Sequence, residues 1–195
     1  MERETRKVLI GESVGHAVHD AWFGLAPVLM AALSAQLQMS NSDIALAILL
    51  YQLVSPVTQP IFGRLSERIG GRPFAVGSII WTTAMFTITL FTHSKLVLMG
   101  SIALAGFGSG AWHPQGTVNA TLAGGRRWSA TSSSVFFFGG TLGTSLIGSA
   151  LGGFLIEAFG RQSLLLISAL TVTLGLTVVR SMVPRRLIAQ DEEHV

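Results

Sequence analysis

The chain has 195 residues, 49% hydrophobic and only 12% charged, with a formal net charge of +3 and no cysteine. Soluble domains carry about 25% charged residues, so this balance, spread over long apolar runs, excludes an ordinary soluble domain and indicates a membrane protein. The missing cysteines exclude disulfides and thiolate metal sites, and the placement of the basic residues excludes nucleic-acid binding as the reason for the positive balance.

The opening MERETRK is followed by no small-residue cleavage site and reads as a cytoplasmic lead-in to a retained first helix. Six apolar segments follow, each near the ~20 residues that cross a bilayer as a helix. Lipid gives a bare backbone no hydrogen-bond partner, and the alternation of a β-barrel is missing, so all six are expected to be helical. The first, roughly 13–37, contains GHAVHDAWFG. Spacings of three and four place His16, His19 and Asp20 on one helix face, which Phe23 and Pro27 continue. A carboxylate at the bilayer centre costs at least ~2.5–3.5 kcal/mol, so this face is expected to look into protein or water. Three readings stay open for it: a buried polar network, a proton or substrate site, and a metal site completed by His113.

The second segment, 43–62, is opened by SNSD, which supplies N-cap residues, and carries a stripe of Gln52, Ser55, Pro56, Gln59 and Gly63. The connection GRLSERIGGR follows. Glu67 in it is placed to bind the N-terminus of the fifth helix, while Arg68 and Arg72 read equally as interfacial anchors. Pro73 suits the first turn of the third segment, 74–91. The third and the sixth, 163–183, hold no ionisable interior residue and are expected at the lipid-facing periphery. The fourth, 96–122, carries His113-Pro114 after Gly106, Gly108 and Gly110, a place where loosened backbone lines a cavity or simply kinks. The fifth, 130–159, places Gly139, Gly143 and Gly148 where small residues allow close helix contact, either within the bundle or, with Gln59, against a second one. The tail AQDEEHV is expected to be a short disordered cytoplasmic end.

Every basic residue except Lys95 and Arg161 falls in one set of loops and ends, so the positive-inside rule places both termini in the cytoplasm. An internal repeat is also legible. Gly63, Leu65, Glu67 and Gly70 align with Gly153, Leu155, Glu157 and Gly160, at helix ends on opposite sides of the membrane. The expected fold is an all-α membrane protein of six transmembrane helices arranged as a 3+3 inverted repeat in one domain, 1–195.

GRLSERIGGR resembles the signature loop between the second and third helices of the major facilitator superfamily, with Gly63, Leu65, Glu67, Arg68, Gly70 and Arg72 in its pattern and Glu67 in place of the usual aspartate. GFGSGAWHPQGTVNATLAGGRR, the later GGTLGTSLIG and the His16–Asp20 spacing resemble the fosmidomycin-resistance branch; Gln115, Phe137 and Thr141 depart from it. The superfamily has twelve helices in two halves, so the resemblance implies that this chain is one half. It further implies a secondary transporter of the bacterial inner membrane, working by alternating access as a homodimer on a small molecule, drug-like or another organic solute, coupled to protons and without cofactor or nucleic acid. Asp20, His16 and His19 are the expected proton-coupling residues. His113, Gln115, Phe23 and Gln52 are expected at the substrate, Gly63, Glu67, Arg68, Gly70 and Arg72 as a gating loop, and Gln59, Gly139, Gly143 and Gly148 at the dimer interface. The alternatives are one half of a heteromeric transporter or of a longer chain, an intramembrane metal-dependent hydrolase built on His16, His19, Asp20 and His113, and a non-transporting assembly module.

Overall fold

The computed structural model describes residues 3–186, and the expected disordered tail lies outside them. Among the described residues there is no strand. The chain forms six helical rods: α1 (Arg3–Leu33), α2 (Asn41–Ile69), α3 (Arg72–Thr89), α4 (Lys95–Ala123), α5 (Gly125–Phe159) and α6 (Arg161–Met182). Each of the last two contains a π-helical stretch, Gly143–Leu151 in α5 and Gly175–Val179 in α6. By length and composition α2, α4, α5 and α6 suffice to cross a membrane. In α1 the polar residues at Glu12, His16, His19 and Asp20 dilute the apolar run, and α3 is an 18-residue helix that begins on Arg72.

Local chemistry explains the helix ends. Ser40 and Asp43 cap α2 reciprocally: the Asp43 N–H donates to Ser40 Oγ (3.2 Å) and the Ser40 N–H to Asp43 Oδ2 (2.8 Å). Lys95 Nζ also donates to Asp43 Oδ2 (3.1 Å), tying the start of α4 to that of α2. Pro73 occupies the first turn of α3 as expected. The stretch GRLSERIGGR, expected as a connecting loop, is mostly the last turns of α2. The helix stops only at Gly70, whose φ of +97° suits glycine and whose N–H donates to the Ser66 carbonyl. Gly160 ends α5 in the same way, at φ +78° with its N–H on the Ile156 carbonyl.

Glycines decide how closely the rods approach. Gly106 and Gly110 of α4 lie against Tyr51, Val54, Ser55 and Thr58 of α2. Gly139, Gly143 and Gly148 of α5 lie against the backbone carbonyls of Ser13, Ala17 and Ala21 in α1. The expectation that these three glycines face a second copy is therefore corrected: they are buried inside the bundle, where any side chain would strike the α1 backbone. Two apolar clusters fill the interior. One gathers Trp22, Leu25, Leu29, Phe86 and Ile102, the other Leu9, Val18, Ile79, Trp112, Phe136 and Val179. His16 and His19 of α1 stack on Phe136 and Trp112 of the second cluster.

The third helix is not peripheral in the way its lack of charges suggested. Ser78, Thr82, Thr83 and Thr89 are buried. Thr83 Oγ1 accepts from Trp22 Nε1 (3.2 Å) and shares a hydrogen bond with Thr171 Oγ1 of α6 (3.0 Å). Hydroxyls can enter an apolar contact because each finds a partner there.

Candidate functional site

Asp20 is the centre of the polar layer. Its carboxylate oxygens lie 3.1 Å from His16 Nε2, 3.1 Å from His19 Nδ1 and 3.9 Å from His113 Nε2. His16 and Asp20 meet because they are four residues apart on one helix. His113 arrives from α4, where Gly110 allows α2 and α4 to close and Pro114 follows.

Each ring is oriented by a second partner. His16 Nδ1 lies 2.9 Å from the Phe136 carbonyl, and the ring stacks on Phe136 at 4.1 Å between centroids. His113 Nδ1 lies 2.9 Å from the Ser109 carbonyl. His19 Nε2 lies 3.2 Å from Thr82 Oγ1, and its ring stacks parallel to Trp112. A carbonyl only accepts, so the Nδ1 atoms of His16 and His113 carry the hydrogen, and their Nε2 atoms turn to Asp20. The hydrogen bond between His16 Nε2 and Asp20 Oδ2 then requires one further proton, carried by the ring or by the carboxyl group. The arrangement is a proton-holding pair with a third and a fourth polar group in reach. His16 and His19 are almost wholly buried, whereas Asp20 and His113 keep about a fifth of their side-chain surface open, at 18% and 24%.

That opening leads into a cavity of about 240 Å³ lined by Asp20, Phe23, Tyr51, Gln52, Gln59 and His113, among others. A second cavity, of about 430 Å³, shares Gln59 and His113 and continues past Gly63, Glu67 and Phe137. Together they form one groove between α2 and α4, with α1 and α5 at its side. Phe23, Gln52, Gln59, Gly63 and Glu67 thus fall on the groove with His113 and Asp20. Arg68 is exposed on α2, Gly70 closes that helix, and Arg72 Nε donates to the Val183 carbonyl (2.7 Å), so these three do not line it.

Gln115 does not join His113. Two residues along a helix is more than half a turn, so it points elsewhere. It is fully buried, donating to Trp112 O (3.2 Å) and toward Glu12 Oε2 (3.4 Å). With Asn119, whose Nδ2 donates to Glu12 Oε1 (2.8 Å), it builds a separate buried carboxyl site. Sequence reading missed Glu12 and Asn119. The signal was there in the four-residue steps Glu12, His16, Asp20 along one face. Thr82 was missed as well, and no signal on α3 sets it apart from its neighbours.

The ligand-type atoms of His16, Asp20 and His113 lie within 4.8 Å of one another, close enough for one cation to be shared. His16 Nε2 and Asp20 Oδ2 are meanwhile turned directly upon each other.

Comparison with known proteins follows the same lines. The family described as Major Facilitator Superfamily matches residues 14–193. The chain is 26% identical to the fosmidomycin resistance protein of Escherichia coli (strain K12) over 151 residues, 76% of this chain and 36% of that protein. It is 30% identical to the inner membrane transport protein YajR of the same organism over 163 residues, 83% of this chain and 35% of that protein. It is 23% identical to the uncharacterized MFS-type transporter YfnC of Bacillus subtilis (strain 168) over 140 residues, 71% and 34% of the two chains. The chain spans about a third of the length of these relatives.

Proposed function

The chain belongs to the Major Facilitator Superfamily and is a multi-pass membrane protein, and on that premise we propose that it is a six-span half of a proton-coupled secondary transporter of the bacterial inner membrane. The observation that carries the coupling is Asp20, a carboxylate within an apolar helix, hydrogen-bonded to His16 and His19 and open toward a polar groove. Such a residue is costly in a membrane and marks an ion or substrate path. In this reading the proton between His16 and Asp20 is released when substrate enters beside Phe23, Gln52 and His113, and is restored from the opposite side after the bundle rocks. The relatives are named for transport and resistance rather than catalysis. That favours transport of a small organic solute over a metal-dependent hydrolase.

The 3+3 inverted arrangement is supported by packing. The second helix of each triplet packs chiefly on the first helix of the other, α2 on α4 and α5 on α1. The matched caps at Gly70 and Gly160 end α2 and α5 alike. Both termini are assigned to the cytoplasm on the charge distribution.

A second six-helix unit completes the groove in this reading. Gln52 is exposed beside it, and lipid leaves such an amide unsatisfied. Rows of exposed apolar residues flank it, with Leu53, Val57 and Ile61 on α2 and Phe138, Leu146 and Phe154 on α5. The preferred partner is a parallel second copy; a different half, or the remainder of a longer chain, would serve the same geometry. Flux into proteoliposomes, measured across a panel of solutes with and without an imposed pH gradient, tests the function. Flux indifferent to the gradient for every transported solute overturns proton coupling.

A further inference from the structure

Away from the groove, on the outer side of α3, two cavities meet at Pro73. One, of about 350 Å³, is bordered by Arg72, Arg180 and Arg185 with Ile69 and Val76. The other, of about 450 Å³, is almost wholly apolar and runs between α2, α3 and α4 past Phe62, Phe74, Gly77, Trp81 and Phe107. From Pro73 to Trp81 is eight residues of helix, about 12 Å at 1.5 Å per residue. That is most of one leaflet of a hydrocarbon core about 30 Å thick.

The basic end is built rather than incidental. Arg72 Nε donates to the Val183 carbonyl at the end of α6 (2.7 Å), which fixes the guanidinium. Gly70, at φ +97°, packs against the Arg185 backbone carbonyl and so seats Arg185 beside the end of α2. Arg185 and Arg180 both repel Arg72 electrostatically. Among the described residues no ion pair joins any of the three to a carboxylate. Three like charges bordering one cavity make it strongly positive, a setting that an anion complements. The apolar end is equally defined: Trp81 Nε1 donates to the Leu104 carbonyl (2.8 Å), pinning α3 to α4 at the top, and Phe62 meets Phe74 edge to face near the basic end.

We infer that Arg72, Arg180 and Arg185, together with the apolar groove between α2, α3 and α4, bind one anionic phospholipid, its phosphate at the guanidinium groups and an acyl chain along Phe74, Gly77 and Trp81. Charge complementarity selects the headgroup and the groove the chain. The site stands apart from the Asp20 groove and does not depend on the transport reading.

The test uses purified protein with phosphatidylglycerol and phosphatidylcholine of identical chains, read by native mass spectrometry and by the shift of the melting midpoint. Wild type should retain phosphatidylglycerol at least tenfold over phosphatidylcholine. The Arg180→Gln/Arg185→Gln variant, which leaves Arg72 and its bond to Val183 intact, should lose that preference. Gly77→Leu should weaken retention of phosphatidylglycerol, and it should fold, since a Cβ at Gly77 meets no atom within 4 Å. Equal retention of the two lipids, a preference surviving in the double variant, or a Gly77→Leu protein that retains phosphatidylglycerol like wild type each overturns the proposal. So does a melting shift with inorganic phosphate as large as that with the lipid, which would identify an anion site without an acyl seat.

Discussion

Replacing Asp20 by asparagine separates the charge of the polar layer from its shape. In the native arrangement Asp20 accepts from His19 Nδ1 and shares a proton with His16 Nε2, each at 3.1 Å. An asparagine keeps both contacts in neutral form. Its carbonyl oxygen accepts from His19 Nδ1–H, and its amide donates to His16 Nε2, whose Nδ1–H stays on the Phe136 carbonyl. His19 Nε2 then accepts from the Thr82 hydroxyl. What is lost is the charge assistance of two hydrogen bonds, about 1 kcal/mol each, offset by no longer burying a carboxylate. Stability should therefore change by less than about 2 kcal/mol. Asp20→Ala, by contrast, leaves the His19 Nδ1–H without its acceptor and His16 Nε2 without a partner and should cost more, about 1–3 kcal/mol for each unsatisfied group. The functional effect should be much larger. For one proton exchanged per solute, a gradient of one pH unit is worth about 1.4 kcal/mol and supports about tenfold accumulation. Asp20→Asn should accumulate nothing above equilibrium while still exchanging solute at equal pH. The assay is uptake into proteoliposomes with and without the gradient, beside a melting curve of the purified variant. If Asp20→Asn accumulates solute tenfold like wild type, the carboxylate is structural and the coupling argument fails.

Gly143→Ala drives a methyl group into the Ala17 backbone and should lower the melting midpoint or abolish the monodisperse protein, whereas Gly77→Ala, facing open space, should be neutral or mildly stabilising; equal behaviour of the two in size-exclusion and melting assays would refute the α1–α5 contact. Glu12→Gln should be tolerated, because an amide can still accept from Asn119, while Glu12→Leu removes an acceptor shared by Asn119 and Gln115, which keep their bonds to Gln115 Oε1 and the Trp112 carbonyl, and should cost about 1–3 kcal/mol; denaturation that does not separate the two variants counts against the buried cluster. Cysteines at Val57 and Phe138, both exposed in a chain with no native cysteine, should crosslink between copies in the membrane; a fully active protein that never crosslinks along α2 or α5 argues against the homodimer. Reporter fusions at Arg127 and Lys95 should read cytoplasmic and external, and a cytoplasmic signal at Lys95 would remove the six-span topology.

Much of this protein is written in one dimension. Apolar length and the lack of backbone partners in lipid dictate helices, and Ser40–Asp43 and Pro73 mark two of their starts through local hydrogen bonding and allowed φ alone, whereas the continuation of α2 as far as Gly70 is hidden by the polar, loop-like GRLSERIGGR. The pairing of His16 with Asp20 is equally local, since four residues on a helix are always neighbours. Other features came only with the assembled bundle: His113 beside Asp20, Gln115 turned to Glu12 instead of His113, Thr82 beneath His19, and the α5 glycines spent on α1 rather than on a second copy. The reason is the solvent. In water, hydrophobic periodicity tells which face of a helix points inward. In lipid, the core and the surroundings are alike apolar, so the sequence specifies which residues share a face but not which neighbour that face meets. The rotation of each rod about its axis is decided by steric fit, above all by where glycines let two backbones touch, and that fit exists only once the six helices are packed together.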